Sequence, residues 1–473
     1  MPAQPVEKVL TSVLKKIRPS ASDQSAMQSA VNAVMQVASK IAGNTAVPVM
    51  CGSVEKGTWL AGKREFDLFL LFNPAVSREE FEKKGLDLAK KIISTLNGKW
   101  EIAYAEHPYL RGSMKSGKLD YAIDVVPAYD VPDPSRIKSA VDRTPHHVSY
   151  IKKRFTPDLS DTARLIKAFA KAAGAYGADV KTQGFSGYLC ELLAIHYGSF
   201  ARCAAEAQKW EAGLLIDLER KAVDYQAALE KFRAPMMVID PVDPNRNVAA
   251  AVSADSFFAF ARACRDFILL PHQKWFFPPR ARPYSVKEVA AAIARRRTRW
   301  YLVRFDRPMN LVDDTLWPQM RKASASLEGL LADGGFRVLR RDVWADGKDC
   351  ILLFELEVWQ VPRVVKHVGP TIWSHKQAKA FLEHYREKKC WIEKDCWVTE
   401  TEREHTVALD YLKSFFAQPE HVLLGKGMPS HIASALLKST VASGAPVITM
   451  LSKLPPDFRV FICKLLEKNI SPV

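Results

Sequence analysis

An apolar strand that carries two acids constrains this chain more than any other stretch. In EFDLFLLF, residues 65–72, strand side chains alternate faces, so Glu65 and Asp67 share one face and Phe66, Leu68 and Leu70 the other. The apolar face requires a core on one side of a sheet. The acidic face opposes simple burial, because two close carboxylates repel and each resists leaving water. A fold keeps such a pair where it is solvated, bridged by Lys or Arg, or bound to metal. A solvated strand end, paired with Lys63 or Arg64, is the plainest of these.

The residues upstream point elsewhere. Gly52-Ser53 is followed by eleven residues, 54–64, before the acid pair. A Gly-Ser turn lets backbone N–H groups approach a phosphate, and Ser53 adds a hydroxyl. A third acid, Asp124, lies in YAIDVVP, flanked by apolar residues on a second strand that is expected to end at Pro127. Three strand carboxylates beside a phosphate cradle suit a two-metal site. Mg2+ takes oxygen ligands, and two ions about 3.5–4 Å apart can hold the attacking and leaving oxygens of a displacement.

Charge narrows the partner. Lys and Arg number 68 against 52 Asp and Glu, a net +16 that suits a polyanion, either nucleic acid or an anionic membrane; a merely basic surface is the alternative. No uncharged apolar run reaches the ~18 residues of a transmembrane helix. The first residues, MPAQPVEKVLTSVLKKIRPS, read as an amphipathic helix and lack an apolar core of signal-peptide length. The 8 cysteines are scattered without a CxxC pair, and Cys390 and Cys396 are the closest two. Reduced thiols in a cytoplasmic protein follow, without disulfides or zinc.

Three regions follow along the chain: 1–145 alternates helices with short strands, 146–270 is helical, and 271–473 mixes both. In KWEIAYAEHPYLRGSM a strand and its turn are expected. In SDTARLIKAFAKAAG, Leu165, Ile166, Phe169 and Ala173 form an apolar face and Gly174 a stop, while Arg164, Lys167 and Lys171 form a basic stripe that reads first as a solvated face. SGYLCELLAIHYGSF reads as a core helix with His196 packed inside it. Residues 271–310 are the most basic, with ten Lys or Arg against two acids, interleaved with Trp275, Phe276, Phe277, Tyr284, Trp300, Tyr301 and Phe305. Basic residues can neutralise phosphates and aromatics can stack bases, although aromatics more often serve a core. Ser285 and Glu288 fit a capping box for a helix ending in Arg295, Arg296 and Arg297. A strand, a helix closed by Gly334-Gly335 and a hairpin at Asp346-Gly347 suggest a ferredoxin-like part at about 298–370, a layout used on RNA.

Longer strings carry a resemblance. GTWL and EFDLFLLF, RTPHH, AAGAYGADVKTQGFSGYLCELLAIHYGSF and IDPVDPNRNVAAAVS are similar to the archaeal-type class I CCA-adding enzymes, a family of tRNA nucleotidyltransferases. The resemblance covers most of residues 40–270 and continues more weakly through DRPMNLVDDTLWPQMRKAS and VVKHVGP. It implies an α+β multidomain fold: a polymerase-type nucleotidyltransferase head over 1–145, a helical nucleotide- and substrate-binding domain over 146–270, and a mixed α/β tRNA-binding body and tail over 271–473.

The family adds C, C and A to the tRNA 3′ end from CTP and ATP, without a nucleic-acid template, releasing pyrophosphate. By resemblance Glu65, Asp67 and Asp124 are the metal carboxylates, with Mg2+ as cofactor and Asp124 helping to activate the tRNA 3′-hydroxyl. The triphosphate contacts map onto Gly52, Ser53, Thr144, His147, Lys167 and Tyr176, and the base-reading arginine onto Arg246, for which a surface salt bridge is the plain alternative. The C-terminal half would grip the acceptor stem and TΨC arm, with Arg295, Arg296, Arg297, Arg299 and Lys426 as candidate RNA contacts. One departure stands out: where the family has a small residue and then a base after the Gly-Ser turn, this chain has Glu55 and then Lys56. A monomer and a homodimer both fit the sequence. The rival readings are a CC-adding, A-adding or poly(A)-type enzyme on the same scaffold, and a non-catalytic tRNA-binding protein.

Overall fold

The computed structural model describes residues 5–104, 107–220, 224–279 and 282–467. The chain divides into two compact units, Met1–Pro279 and Arg280–Val473.

In the first unit the acid-bearing strand is central. Strands β1 (Val47–Cys51), β2 (Glu65–Phe72), β3 (Lys99–Tyr104), β4 (Pro108–Ser116) and β5 (Leu119–Tyr129) form one sheet in the order β1-β2-β5-β4-β3. Helices α1 (Val6–Ile17), α2 (Ala21–Ala42), the single turn α3 (Gly52–Glu55) and α4 (Arg78–Thr95) accompany it. Strand alternation works as the sequence implies: Phe66, Leu68, Leu70 and Phe72 are buried in one core with Val34 and Ala38 of α2 and Phe81 and Ile92 of α4. The opposite face carries Glu65 and Asp67 and then Phe69, which packs with Cys51, Val126 and Val148 in a smaller cluster. The turn expected after KWEIAY falls on Ala105 and Glu106, which lie outside the described residues.

Pro127 does not end its strand. β5 runs through it to Tyr129, with Pro127 opposite Leu70 in the parallel β2 pairing. Pairing to β4 stops at Val125, so one side of β5 is open where the proline lacks its N–H, a place a sheet tolerates proline.

The rest of the unit is helical: α5 (Arg143–Arg154), α6 (Pro157–Ala172), α7 (Gly187–Tyr197), α8 (Phe200–Ala207), α9 (Tyr225–Phe232) and α10 (Ala254–Leu269), with two short parallel strands, β6 (Leu214–Ile216) and β7 (Met236–Val238). Phe169 of α6 is fully buried and meets the rings of Phe200, Phe260, Phe267 and Phe276. α6 stops as expected, with Gly174 at φ +72° just beyond it. Two expectations fail here. Arg164 and Lys167 are buried, and only Lys171 of the basic stripe is exposed, because the helix is surrounded on more than its apolar face. His196 is exposed near the C-terminus of α7, where the helix emerges from the core.

The second unit opens with α11 (Val286–Arg296), started by the expected Ser285–Glu288 capping box. Then come β8 (Arg299–Asp306), α12 (Asp313–Asp333), β9 (Arg337–Ala345) and β10 (Asp349–Val358). A separate three-stranded sheet follows from β11 (Val364–Thr371), β12 (Cys390–Glu393) and β13 (Cys396–Glu402), with α13 (His375–His384) between its strands. Helices α14 (Ala408–Phe416), α15 (Glu420–Gly425) and α16 (Ser430–Leu436) lead to β14 (Thr440–Ser443), and α17 (Ala445–Lys453) and α18 (Pro456–Leu466) close the chain. The main sheet has the order β14-β8-β10-β9, antiparallel throughout. That is the ferredoxin-like arrangement, but its fourth strand comes from 440–443, well past the 298–370 stretch, because the small sheet is inserted before it. Trp300, Tyr301 and Phe305 are each at most 3% exposed, so these aromatics form the core and are closed to bases.

Candidate active site

The parallel pairing of β2 with β5 sets Asp67 directly opposite Asp124. On the other side of β2, Cys51 stands opposite Asp67, and the chain turns at once into Gly52. Gly52 has φ +71°, and a Cβ there would lie 1.8 Å from Asp67 Oδ2. The glycine is therefore required twice, by its backbone and by the carboxylate lying against it. Ser53 follows in the single turn of α3.

Both aspartates are raised, chiefly by burial. Burial, and then the charge of Asp124, pushes Asp67 up from 3.8 to about 6, with Lys56 opposing. Burial also raises Asp124, while Arg111, whose Nε lies 3.5 Å from Asp124 Oδ1, opposes. Glu65 shares their face but is exposed and takes an ion pair from Lys63 at 2.7 Å. The structure thus brings Asp67 and Asp124 together and leaves Glu65 beside them on Lys63. Among the described residues no three His, Cys, Asp or Glu close into a metal-binding group. The donor set nevertheless fits a hard divalent cation: oxygen atoms only, on rigid strands, with two carboxylates whose mutual repulsion a cation would relieve.

A second cluster lies between the head and the helices of this unit. Lys167 Nζ donates to Glu191 Oε1 at 2.7 Å, to the Thr58 hydroxyl at 2.8 Å and to the Thr58 carbonyl at 3.3 Å. Lys56 Nζ donates to the other Glu191 oxygen at 2.5 Å and lies 5.6 Å from the centre of the Tyr188 ring. Burial alone would raise Glu191, but the two ammonium groups outweigh it and hold the carboxyl well below the usual range. Tyr176 joins the cluster: a Cβ on Gly187 would lie 3.4 Å from the Tyr176 hydroxyl and 3.7 Å from Lys167 Nζ.

A third cluster gathers on Asp240, which is fully buried. Its Oδ2 accepts from Arg246 at 2.8 Å and meets His147 Nε2 at 2.9 Å, while Oδ1 accepts from the Tyr188 hydroxyl at 3.3 Å and the Val242 N–H at 2.9 Å. Burial would raise Asp240, yet these donors hold it near 2. The His147 ring stacks on Tyr188 at 3.9 Å. Thr144 lies half-buried one turn before His147 on α5, and His146 turns away to the Val131 carbonyl at 2.7 Å. Arg246 is thus no surface ion pair. Its guanidinium is anchored on a buried acid and is itself partly exposed.

The unexpected Glu55 is accounted for. Its carboxylate takes Lys152 of α5 at 2.5 Å, which places the charge in an ion pair.

The basic residues expected on RNA fare unevenly. Arg295, Arg297 and Lys426 are exposed. Arg296 is not available in the same way: it binds the fully buried Glu355 at 2.5 Å, and Arg340 takes the same carboxylate at 3.0 Å. Arg299 lies 5.1 Å from the centre of the Trp359 ring.

Sequence reasoning passed over Glu191, Asp240 and Tyr188. A signal existed for the two acids, since a lone carboxylate within SGYLCELLAIHY or after the apolar MMVI requires a partner. Tyr188 carried none, because an aromatic in an apolar helix reads as core.

Residues 161–277 match the family described as tRNA nucleotidyltransferase, second domain, and residues 296–443 match the CCA-adding enzyme, C-terminal domain. The CCA-adding enzyme of Methanoregula boonei is 36% identical over 426 residues, covering 89% of this chain and 88% of that one. The CCA-adding enzyme of Methanocaldococcus jannaschii is 36% identical over 418 residues, covering 86% and 90%. That of Methanosarcina acetivorans is 34% identical over 469 residues, covering 97% and 98%. Among solved structures, the Cid1 poly(U) polymerase covers 57% of this chain and 97% of its own at 14% identity, with a TM-score of 0.44, a likeness too weak to bear on function.

Proposed function

This chain belongs to the CCA-adding enzyme family of tRNA nucleotidyltransferases, and on that premise we propose how its residues divide the work. The chain adds C, C and A to the 3′ end of tRNA from CTP and ATP, without a nucleic-acid template. The attack of a tRNA 3′-hydroxyl on an α-phosphate releases pyrophosphate, and catalysis is largely the positioning of an in-line displacement with stabilisation of its charge.

Asp67 and Asp124, with Glu65 swinging from Lys63, are the residues that would hold a divalent cation, in our reading Mg2+. When bound, such a cation stabilises the charge developing on the phosphoryl and leaving oxygens. The observation that carries this assignment is Asp67 opposite Asp124 with Gly52 pressed against the Asp67 carboxylate. Asp124 is the group we assign to draw the proton from the 3′-hydroxyl. Ser53 at the Gly-Ser turn, with Thr144, His147, Lys167 and Tyr176, lines the triphosphate. Lys167 reaches it by releasing the Thr58 carbonyl, its longest contact at 3.3 Å.

Arg246 reads the base. One arm of the guanidinium is anchored on Asp240, which leaves other N–H groups for the nucleotide. Cytosine N3 and adenine N1 accept such a hydrogen bond, whereas uracil N3–H and guanine N1–H present a donor against a donor. The second unit takes the acceptor stem and TΨC arm through phosphates, so binding falls with salt.

The test is extension of a tRNA lacking its CCA end, with CTP, ATP and Mg2+. Three added nucleotides are expected, and folded protein that adds none would overturn the function. Asp124→Ala is expected to abolish addition while tRNA binding persists. Equal loss of binding would make the acid structural.

A further inference from the structure

Glu191 sits at the fifth position of α7, GYLCELLAIHY, among the buried Leu189, Cys190, Leu192, Leu193 and Ala194. Its side chain is fully buried. A lone carboxylate in such a place is strongly unfavourable unless cations and hydrogen-bond donors meet it. Its partners arrive from separate parts of the chain: Lys56 and Thr58 from the loop after α3, and Lys167 from α6. The Thr58 hydroxyl donates to Glu191 Oε1 at 2.5 Å and accepts from Lys167 at 2.8 Å, so the acid, the hydroxyl and the ammonium close a ring of hydrogen bonds.

We propose that Glu191 is a positioning residue for nucleotidyl transfer: one carboxylate aims two ammonium groups, Lys56 and Lys167, at the triphosphate. The inference rests on the reading of Lys167 as a triphosphate contact. The charge count supports it. Two ammonium groups on one carboxylate leave one positive charge, which attracts a polyphosphate without two bare cations being buried together. Lys56 is the less tied of the pair, with a hydrogen bond to Glu191 and its ammonium over the Tyr188 ring, whereas Lys167 donates at three points.

The role predicts a pH signature. Burial already pulls Lys167 down, and Glu191 opposes it. The groups facing Lys167 are Glu191 and Cys190 on α7, Lys56 and Thr58 after α3, and Tyr176 beyond α6. Burial pushes the Cys190 thiol up to about 12 and raises the Tyr176 phenol as well, so neither titrates near neutrality. Without Glu191, Lys167 loses its counter-charge, and burial pulls its ammonium down further.

The experiment measures kcat/KM for CTP on a tRNA lacking its CCA end, from pH 6.5 to 9.5, using the full chain with folding checked by circular dichroism. For Glu191→Gln the ratio to wild type is expected to fall at least about tenfold between pH 7 and pH 9, as Lys167 loses a proton that Glu191 helps it hold in wild type. A folded Glu191→Gln whose ratio to wild type is constant with pH overturns the proposal. Where Glu191→Gln does not fold, the double variant Lys56→Met/Glu191→Gln removes one charge of each sign and is compared with Lys56→Met alone. The alkaline loss is expected in the double variant only, and matching profiles overturn the proposal. Lys167→Met tests the underlying reading separately: an unchanged KM for CTP removes Lys167 from the triphosphate, whatever the pH profiles show.

Discussion

Asp67→Asn should make this protein more stable and inactive. Asp67 is raised from 3.8 to about 6, first by burial and then by the charge of Asp124. Its proton is held more tightly in the folded chain than in the unfolded one. The folded state therefore binds more protons between pH 3.8 and pH 6, and stability is lost as pH rises through that window. At pH 7.5 the ionised Asp67 costs up to about 3 kcal/mol, at 1.36 kcal/mol for each unit of the rise. By pH 5 about half of that cost remains. Asparagine has nearly the same shape and no charge to ionise, so it recovers the difference. A gain of about 3 kcal/mol corresponds to roughly 5–10 °C in the melting temperature of a unit this size. The assay is thermal and urea unfolding of wild type and Asp67→Asn between pH 5 and 8, with a chelator present so that bound cations do not offset the repulsion. Two results would refute the reasoning: no gain in stability at pH 7.5, or a gain that is the same at pH 5. The second would trace the effect to packing.

Two further substitutions probe the clusters around the aspartates. Gly52→Ala places a methyl group 1.8 Å from the Asp67 carboxylate oxygen at a φ of +71°. It should cost about 1–2 kcal/mol of backbone strain and lower nucleotide addition at least ~100-fold by displacing the acid; activity within tenfold of wild type would remove Asp67 from the reacting centre. Asp240→Asn takes the charge from the buried acceptor shared by Arg246 and His147. The misuse of UTP relative to CTP, measured as a ratio of kcat/KM, should rise about tenfold as Arg246 loses its fixed aim, with stability lowered by about 3–5 kcal/mol; an unchanged ratio would release Arg246 from base reading.

What the sequence made legible was local. Alternation put Glu65 and Asp67 on one face and Phe66, Leu68 and Leu70 in a core, and the pleat gave that result whatever lay around it. Ser285 and Glu288 closed their capping box three residues apart, and Gly174 stopped α6. The errors lie where a neighbour distant in sequence decides. Periodicity correctly put Arg164 and Lys167 on a shared face, but it could not say that this face is covered by Trp59, Gly57 and Thr58, more than 100 residues earlier. Pro127 reads as a stop until the end of β4 at its pairing with Val125 is known. His196 reads as core until the end of its helix is seen to emerge.

The partners that stayed hidden follow one pattern. Glu191 holds Lys56 and Lys167, Asp240 holds His147 and Arg246, Glu355 holds Arg296 and Arg340, and Asp161 holds Arg18 and Arg164. In each case one buried or nearly buried acid gathers two basic side chains, because a single desolvated carboxylate is poorly compensated by one distant cation. Part of the +16 excess is therefore used inside the fold, and the net charge overstates what the surface offers to RNA. Arg296 illustrates the consequence: among three consecutive arginines it alone lies on Glu355, and no local rule separates it from Arg295 and Arg297. The useful signal runs from the acid to the base. A solitary Glu or Asp inside an apolar segment must recruit cations, and the basic residues it recruits are the ones to remove from a list of nucleic-acid contacts, as with Arg296, or to test as contacts of the triphosphate, as we propose for Lys56 and Lys167.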